Sequence, residues 1–160
     1  MRAWFEIVVA VEKRRKITPV VYLLGSLVLM ALLQYFLPVC QYLQPPLVYA
    51  GVIFVFLGIA ILAVSANLFV KAETGLLPFE DATALVTGGL FRFTRNPMYL
   101  GMFLMVFGAA FLMGSIGALI PLLIFVLIIR YNFVAGEERF MEAVFGQQYL
   151  DYKSKVRRWI

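Results

Sequence analysis

Every lysine and arginine in this chain stands at or beyond the ends of four apolar runs. The runs extend from about Ile17 to Leu37, Leu47 to Val70, Met98 to Met113 and Ser115 to Phe133. Twenty or so apolar residues in a helix cross the hydrocarbon core of a bilayer. A helix satisfies all its backbone hydrogen bonds internally, as lipid requires. The pattern therefore specifies an all-α integral membrane protein with about four transmembrane helices. The third run is short, since sixteen helical residues rise only about 24 Å, so it tilts into a thin region or begins within the interface. Only Gly114-Ser115 separates the third and fourth runs, which makes them a tight C-terminal helical hairpin. Gly51 and Gly58 in the second run, and Gly101 and Gly108 in the third, recur at helical spacing and allow two helices to approach closely.

Composition agrees. Of 160 residues, 63% are hydrophobic and 14% charged, with a mean hydropathy of +0.92, values outside the range of a soluble domain of this size. The net charge of +5 flanks apolar spans and is no nucleic-acid signal. A single cysteine, Cys40, rules out an intrachain disulfide and a cysteine-rich metal site. With no histidine, histidine zinc sites, Ser-His-Asp triads and histidine general bases are excluded. The N-terminal residues 1–16 read either as an interfacial helix, with Trp4, Phe5, Val8 and Val11 on one face, or as a frayed terminus. No small-residue cleavage site follows, so no cleavable signal peptide is expected.

The charges set the topology. Five Lys/Arg precede the first run, three lie from Lys71 to Arg95 and six from Arg130 to Arg158; the two remaining connectors carry none. All fourteen basic residues, and all nine acidic ones, thus fall on one side, which the positive-inside rule makes cytoplasmic. Both termini are expected in the cytosol of a bacterial or archaeal cytoplasmic membrane. No charged residue lies deep in a span, which is unlike an ion pump or proton relay. Chemistry is confined to residues 71–97 and 130–160, within one membrane domain of 1–160 whose first two helices occupy 17–70 and whose polar core occupies 71–160.

The first polar segment culminates in Thr87 to Gly101, TGGLFRFTRNPMYLG. Asn96 suits an N-cap and Pro97 the first helical position, so a helix begins there with its N–H groups and positive dipole end toward the polar side. Arg95 adds a forked cation suited to a carboxylate or phosphate. The arrangement reads as an anion seat or, more plainly, as a juxtamembrane arginine pair on a polar loop.

The second polar segment runs EERFMEAVFGQQYLDYKSKVRRWI to Ile160. Gly146 divides it into two cytoplasmic amphipathic helices that fold back on the membrane, with Trp159 and its neighbouring arginines as interfacial anchors. Glu137 and Glu138 point about 100° apart on a helix. One can face a cationic ligand while the other is solvated, or both simply favour a helix N-terminus.

Together these segments resemble the isoprenylcysteine carboxyl methyltransferase family and related membrane phospholipid methyltransferases. The matching residues are Leu85-Val86, Gly89, Arg92 and Arg95-Asn96-Pro97-Met98-Tyr99-Leu100-Gly101, then Glu137-Glu138, Phe145-Gly146, Tyr149, Tyr152 and Val156. Bacterial-type members with RNPMYLG and a VRRW ending are the most similar. The resemblance implies S-adenosylmethionine as cofactor, without a soluble dinucleotide fold. It implies a cofactor pocket lined by Leu85, Val86, Phe91, Asn96, Pro97, Met98, Tyr99 and Glu138. Arg95 at the helix start suits the cofactor carboxylate, and Glu138 its cationic groups, with the rings of Phe91, Tyr99 and Tyr131 beside it; Glu137 is counted with the same pocket.

An apolar, lipid-like or prenylated small molecule arriving from the bilayer is the implied acceptor. A carboxylate or thiolate acceptor needs only in-line positioning. An amine needs a base, for which Glu137 and Tyr131 are the candidates; Arg130 and Tyr131 are the candidate catalytic residues. Three positions depart from the prenylcysteine enzymes: Asn96 replaces histidine, Phe91 replaces a hydroxylated ring, and Phe133 replaces an arginine that faces the substrate carboxylate. Cofactor use carries over; prenylcysteine as substrate does not. Two other readings stay open, a sterol-reductase-like NADPH enzyme and a non-catalytic protein retaining the fold. Met98 and Met102 stand where such reductases carry asparagine and an acid. Oligomeric state is not encoded in any of these patterns.

Overall fold

The computed structural model describes residues 18–36, 41–75 and 82–160; the N-terminal segment 1–16 lies outside them. Helix α1 spans Pro19–Phe36. A 3-10 turn at Leu47–Tyr49 leads into α2, Ala50–Lys71. Helix α3 spans Pro97–Met113 and α4 spans Ile116–Ile128. A π turn at Ile129–Val134 carries α4 directly into α5, Ala135–Phe145, and α6 spans Gln147–Lys155. No named strand occurs among the described residues, only an isolated bridge between Gln41 and Ser115. The protein is an all-α membrane protein.

Among the described residues, three helices are long and apolar enough to cross a bilayer: α1, the Leu47–Lys71 helix, and a continuous 30-residue helix from Ile116 to Phe145. Helix α3, at 17 residues, is the short one, and rises only about 25 Å. The fourth helix does not stop near Phe133 as the sequence suggests. The π turn lets it continue, because an i→i+5 turn absorbs one extra residue without breaking the backbone ladder. Glu137 and Glu138 consequently belong to the end of a long helix, not to the start of an independent one. Side chains such as Ile53 and Phe56 on α2 are exposed and are satisfied by lipid rather than by protein.

Helices α2 and α3 make the closest packing, and glycine is the reason. A Cβ on Gly51 would lie 2.5 Å from the Gly108 carbonyl oxygen, and one on Gly108 would lie 2.6 Å from that of Gly51. Gly58 and Gly101 repeat the relationship at 2.5 and 2.8 Å. Two reciprocal pairs, seven residues apart, fix an antiparallel register with the backbones nearly touching. Phe54 wedges edge-on against Phe107, ring centres 5.0 Å apart, one turn away. The α3–α4 hairpin closes at Gly114, which is left-handed at φ 60°, as glycine tolerates. Its carbonyl accepts from the N–H groups of Tyr42 and Leu43, so the two uncharged connectors meet at one end of the bundle. The starts of α1, α3 and α5 and the end of α2 meet at the other, around a cavity.

Candidate functional site

Pro97 occupies the first turn of α3, where its missing N–H costs nothing. The chain before it makes a 3-10 turn at Gly89–Arg92 that buries Phe91. The Tyr152 hydroxyl on α6 donates to the Phe91 carbonyl at 2.7 Å, which brings the C-terminal helix onto this loop. Burial pushes Tyr152 up to about 12, against an opposing effect of nearby Arg95, and pushes Tyr149 higher still. Both tyrosines are therefore neutral donors and apolar walls.

At the centre lies a buried ion cluster. Arg95 Nη2 is 3.0 Å from Glu138 Oε1, and the two side chains are 8% and 6% exposed. Arg158 grips the same carboxylate from the other side, Nε to Oε1 at 3.0 Å and Nη2 to Oε2 at 2.6 Å. Two guanidinium groups surround one carboxylate, leaving one net positive charge. The bond to Glu138 raises the Arg158 guanidinium above its already high value. Arg95 Nη1 also donates to the Lys153 carbonyl at 3.3 Å, whereas Arg95 Nε is buried with no hydrogen-bond partner. Glu137 turns to a different partner and accepts from the Tyr99 hydroxyl at 2.7 Å. Neither glutamate of the pair is simply a solvated face.

Two adjoining cavities border this cluster. One, of about 100 Å³, is lined by Thr18, Phe69, Phe91, Arg95, Asn96, Pro97, Met98, Tyr99 and Glu137, among others. The second, of about 40 Å³, adds Leu85, Val86, Glu138, Met141, Tyr149 and Tyr152. They share Phe69, Phe91, Arg95, Asn96 and Glu137. All ten residues expected to line a cofactor pocket thus border one cavity or the other. A third cleft, of about 210 Å³ and almost wholly apolar, lies between α3 and α4, where Tyr99, Leu100, Phe103, Phe125 and Trp159 form its walls. Tyr99 is common to the first cavity and the apolar cleft.

Several expectations change. Asn96 holds the N-cap position but its side chain does not cap α3; Nδ2 donates to the Arg158 carbonyl instead, at 3.0 Å. Arg95 is no freestanding anion seat, because Glu138 takes part of its fork. The candidate catalytic residues Arg130 and Tyr131 lie on the exposed face of the π turn, the guanidinium 5.6 Å from the tyrosine ring centre, and neither borders the three cavities. Phe133, at the position of the missing arginine, is buried against Tyr22. The residue sequence reasoning missed is Arg158. Its place in VRRW beside Trp159 looks like an interfacial anchor, and nothing local reveals a partner twenty residues back.

The sequence profile of the phospholipid methyltransferase family matches residues 46–148. That match covers well over half of the 160 residues. The chain belongs to that family. An uncharacterized protein of Haemophilus influenzae is 38% identical over 63 residues, which make up 39% of this chain and the whole of that protein. The protein-S-isoprenylcysteine O-methyltransferase of Schizosaccharomyces pombe is 32% identical over 75 residues, 45% of this chain and 30% of that enzyme. The aligned part therefore spans less than a third of that enzyme's length. No solved structure matches the chain. Membership places the chain among membrane methyltransferases, and the matched region includes the turn at Asn96-Pro97 together with Glu137 and Glu138.

Proposed function

We propose that this protein is an S-adenosylmethionine-dependent methyltransferase acting on an apolar, lipid-like small molecule at the cytoplasmic face of a bacterial or archaeal membrane. One observation supports it above others: a cavity bordered by Arg95, Asn96 and Glu137 at the start of α3 shares a wall, Tyr99, with an almost wholly apolar cleft between α3 and α4. A water-soluble donor and a lipid-soluble acceptor need two compartments of that kind meeting at one point.

The residues present fit the cofactor. Arg95 Nε is a buried donor without an acceptor, suited to the cofactor carboxylate together with the uncapped first turn of α3. Glu137 suits its ammonium, and the faces of Phe91 and Tyr99 suit its rings and cationic sulfur. When bound, the cofactor supplies a methyl group carried on a sulfonium cation. The chain contributes orientation and exclusion of water: Phe69, Phe91 and Met102 wall the cavity with apolar surface, which protects a reactive methyl donor from hydrolysis.

For a carboxylate or thiolate acceptor, positioning completes the requirement. For an amine a base is needed, and Glu137, which accepts from the hydroxyl of the shared wall Tyr99, is the candidate.

Calorimetric titration of detergent-solubilised protein with S-adenosylmethionine, S-adenosylhomocysteine and NADPH tests the proposal. Saturable binding of the adenosyl compounds is expected. Binding of NADPH alone would replace the reading by the reductase, and binding of none by folded protein would leave a non-catalytic scaffold.

A further inference from the structure

The last residues of the chain touch two different environments. The Arg158 carbonyl accepts from the Thr94 hydroxyl at 3.1 Å and from Asn96 Nδ2 at 3.0 Å, and the Arg157 carbonyl accepts from the Arg95 N–H at 3.0 Å. The Arg158 side chain forks onto Glu138 of α5. Residues 157 and 158 are thereby pinned to the start of α3 by their backbone and to α5 by a guanidinium. Trp159 follows directly, and it is a wall of the apolar cleft rather than of the ion cluster.

Position along the helices shows which end of the cleft Trp159 closes. Tyr99 lies in the first turn of α3 and Ile129 just past the end of α4, so both stand at the charged end of the bundle. Phe103 and Phe125, which also line the cleft, stand about one turn deeper. The backbone before Trp159 is held by Thr94 and Asn96, immediately ahead of α3. Its indole therefore closes the charged end, packed against the core of the bundle.

The surroundings of the cleft identify its occupant. Its lining is almost wholly apolar, and Leu123, Ile124 and Leu127 on the neighbouring surface of α4 are exposed, so hydrocarbon is what this region meets in a bilayer. An apolar cavity of roughly 150 Å³ stays dry and takes up a benzene ring. This cleft, at about 210 Å³, accommodates one slender chain segment. At the closed end it shares Tyr99 with the cavity that Glu137 borders, so a chain in the cleft presents its head group there, beside the indole.

We propose that Trp159 is a specificity-determining residue, admitting an acceptor that is a single unbranched chain next to its head group and rejecting one that branches there. The proposal rests on the function proposed above for calling the occupant an acceptor. A two-chain lipid carries its branch point where the indole stands; a single-chain amphiphile does not.

The probes are hexadecanoic acid and its isomer with a hexyl branch beside the carboxyl group, which share composition and head group and differ only in branching. Calorimetry in detergent compares them in the wild type, Trp159→Ala and Trp159→Phe, so that partition into micelles cancels between proteins. The wild type is expected to bind the straight acid roughly tenfold or more tighter, the scale of forcing extra methylenes into a filled apolar site. Trp159→Ala is expected to remove most of that gap by gaining affinity for the branched acid. No gap in the wild type, or an unchanged gap in the variant, would overturn the proposal. Should Trp159→Ala fail to fold, Trp159→Phe carries the test with an intermediate gap, and a gap equal to the wild type's would overturn it.

The place of binding is read separately. The chain has two tryptophans, Trp4 and Trp159, so Trp4→Phe leaves one reporter at the cleft. Hexadecanoic acid brominated a few carbons from its carboxyl group should quench that fluorescence saturably. Adding Val126→Phe, which fills the cleft, should leave only non-saturable quenching from the micelle. Absence of saturable quenching, or its survival in the filled variant, would overturn the assignment. None of these readouts needs a bound adenosyl compound. Selection between the isomers without adenosyl binding would sink the methyltransferase reading and keep the selecting wall; adenosyl binding without selection would sink the wall alone.

Discussion

The Arg95 guanidinium and the Glu138 carboxylate meet at 3.0 Å, each side chain more than nine-tenths buried. Glu138 also receives the Arg158 fork, so one buried anion pairs with cations from two distant parts of the chain. Glu138→Gln keeps the shape but leaves two guanidinium groups facing a neutral amide. Breaking a buried pair by removing one partner costs about 3–5 kcal/mol. Thermal unfolding in detergent is expected to show a loss of that size, with cofactor binding reduced alongside it. A variant with unchanged melting would mean that the cluster is solvated in the membrane-bound protein.

Asn96 gives a sharper contrast. If it capped α3, serine would substitute well and alanine badly. The amide instead donates to the Arg158 carbonyl, which serine is too short to reach from the same backbone. Asn96→Ser and Asn96→Ala are therefore expected to weaken cofactor binding by similar amounts, about 0.5–1.5 kcal/mol, the net value of one such bond. Substantially better binding by the serine variant in parallel titrations would restore the capping role.

How far the sequence could anticipate this depended on the range of each interaction. The glycine positions at 51, 58, 101 and 108 were legible because seven-residue spacing keeps them on one helix face, and the reciprocal contacts follow from that. Pro97 at a helix start was legible because its constraint is local. The direction of the Asn96 amide was not, since its choice between its own helix and the Arg158 carbonyl lies 62 residues away in the chain. The helix break expected near Phe133 failed for a different reason. A π turn over Ile129–Val134 leaves no composition signal, and Asn132 and Gly136 resemble a stop. Arg158 was misplaced because a guanidinium that anchors at an interface and one that clamps a buried carboxylate look alike in sequence.

The α2–α3 interface makes a prediction about size. A methyl group at Gly58 would lie 2.5 Å from the Gly101 carbonyl oxygen and 2.9 Å from the Met105 nitrogen, so the helices must separate. Gly58→Ala is expected to destabilise the protein by about 1–3 kcal/mol, the usual cost of overpacking. Gly25→Ala, where a Cβ meets nothing within 4 Å, is the control and should be neutral or stabilising by up to about 1 kcal/mol. Equal melting temperatures for the two variants would mean that α2 and α3 are not in this register.

Alkaline pH probes the contact between α6 and the loop at Phe91. The Tyr152 pKa is raised from 10.0 to about 12 in the folded protein, so the folded state holds this proton more tightly than the unfolded chain does. The associated stability is complete below pH 10 and is lost as pH rises from there through about 12. Tyr152→Phe removes the titrating hydroxyl and should flatten that part of the profile, at the cost of leaving the Phe91 carbonyl without its donor. Melting temperatures measured in detergent between pH 8 and 12 decide it; a Tyr152→Phe profile as steep as the wild type would assign the effect to other tyrosines.

The two ends of the bundle differ in charge, and that difference predicts orientation. One end joins the uncharged connectors, where the Gly114 carbonyl accepts from Tyr42 and Leu43. The other gathers Arg95, Glu137, Glu138 and Arg158 around the cavities. Positive charge beside spanning helices is retained on the cytoplasmic side, so the site and the C-terminus should both face the cytosol. A reporter fused after Ile160 is expected to give a cytoplasmic signal, and a cysteine placed at Tyr42, in a variant lacking Cys40, to react with an impermeant thiol reagent added outside. Labelling of a cysteine introduced at Arg157 from outside intact cells, with none at position 42, would reverse the orientation and place the cavities on the far side from any cytosolic cofactor pool.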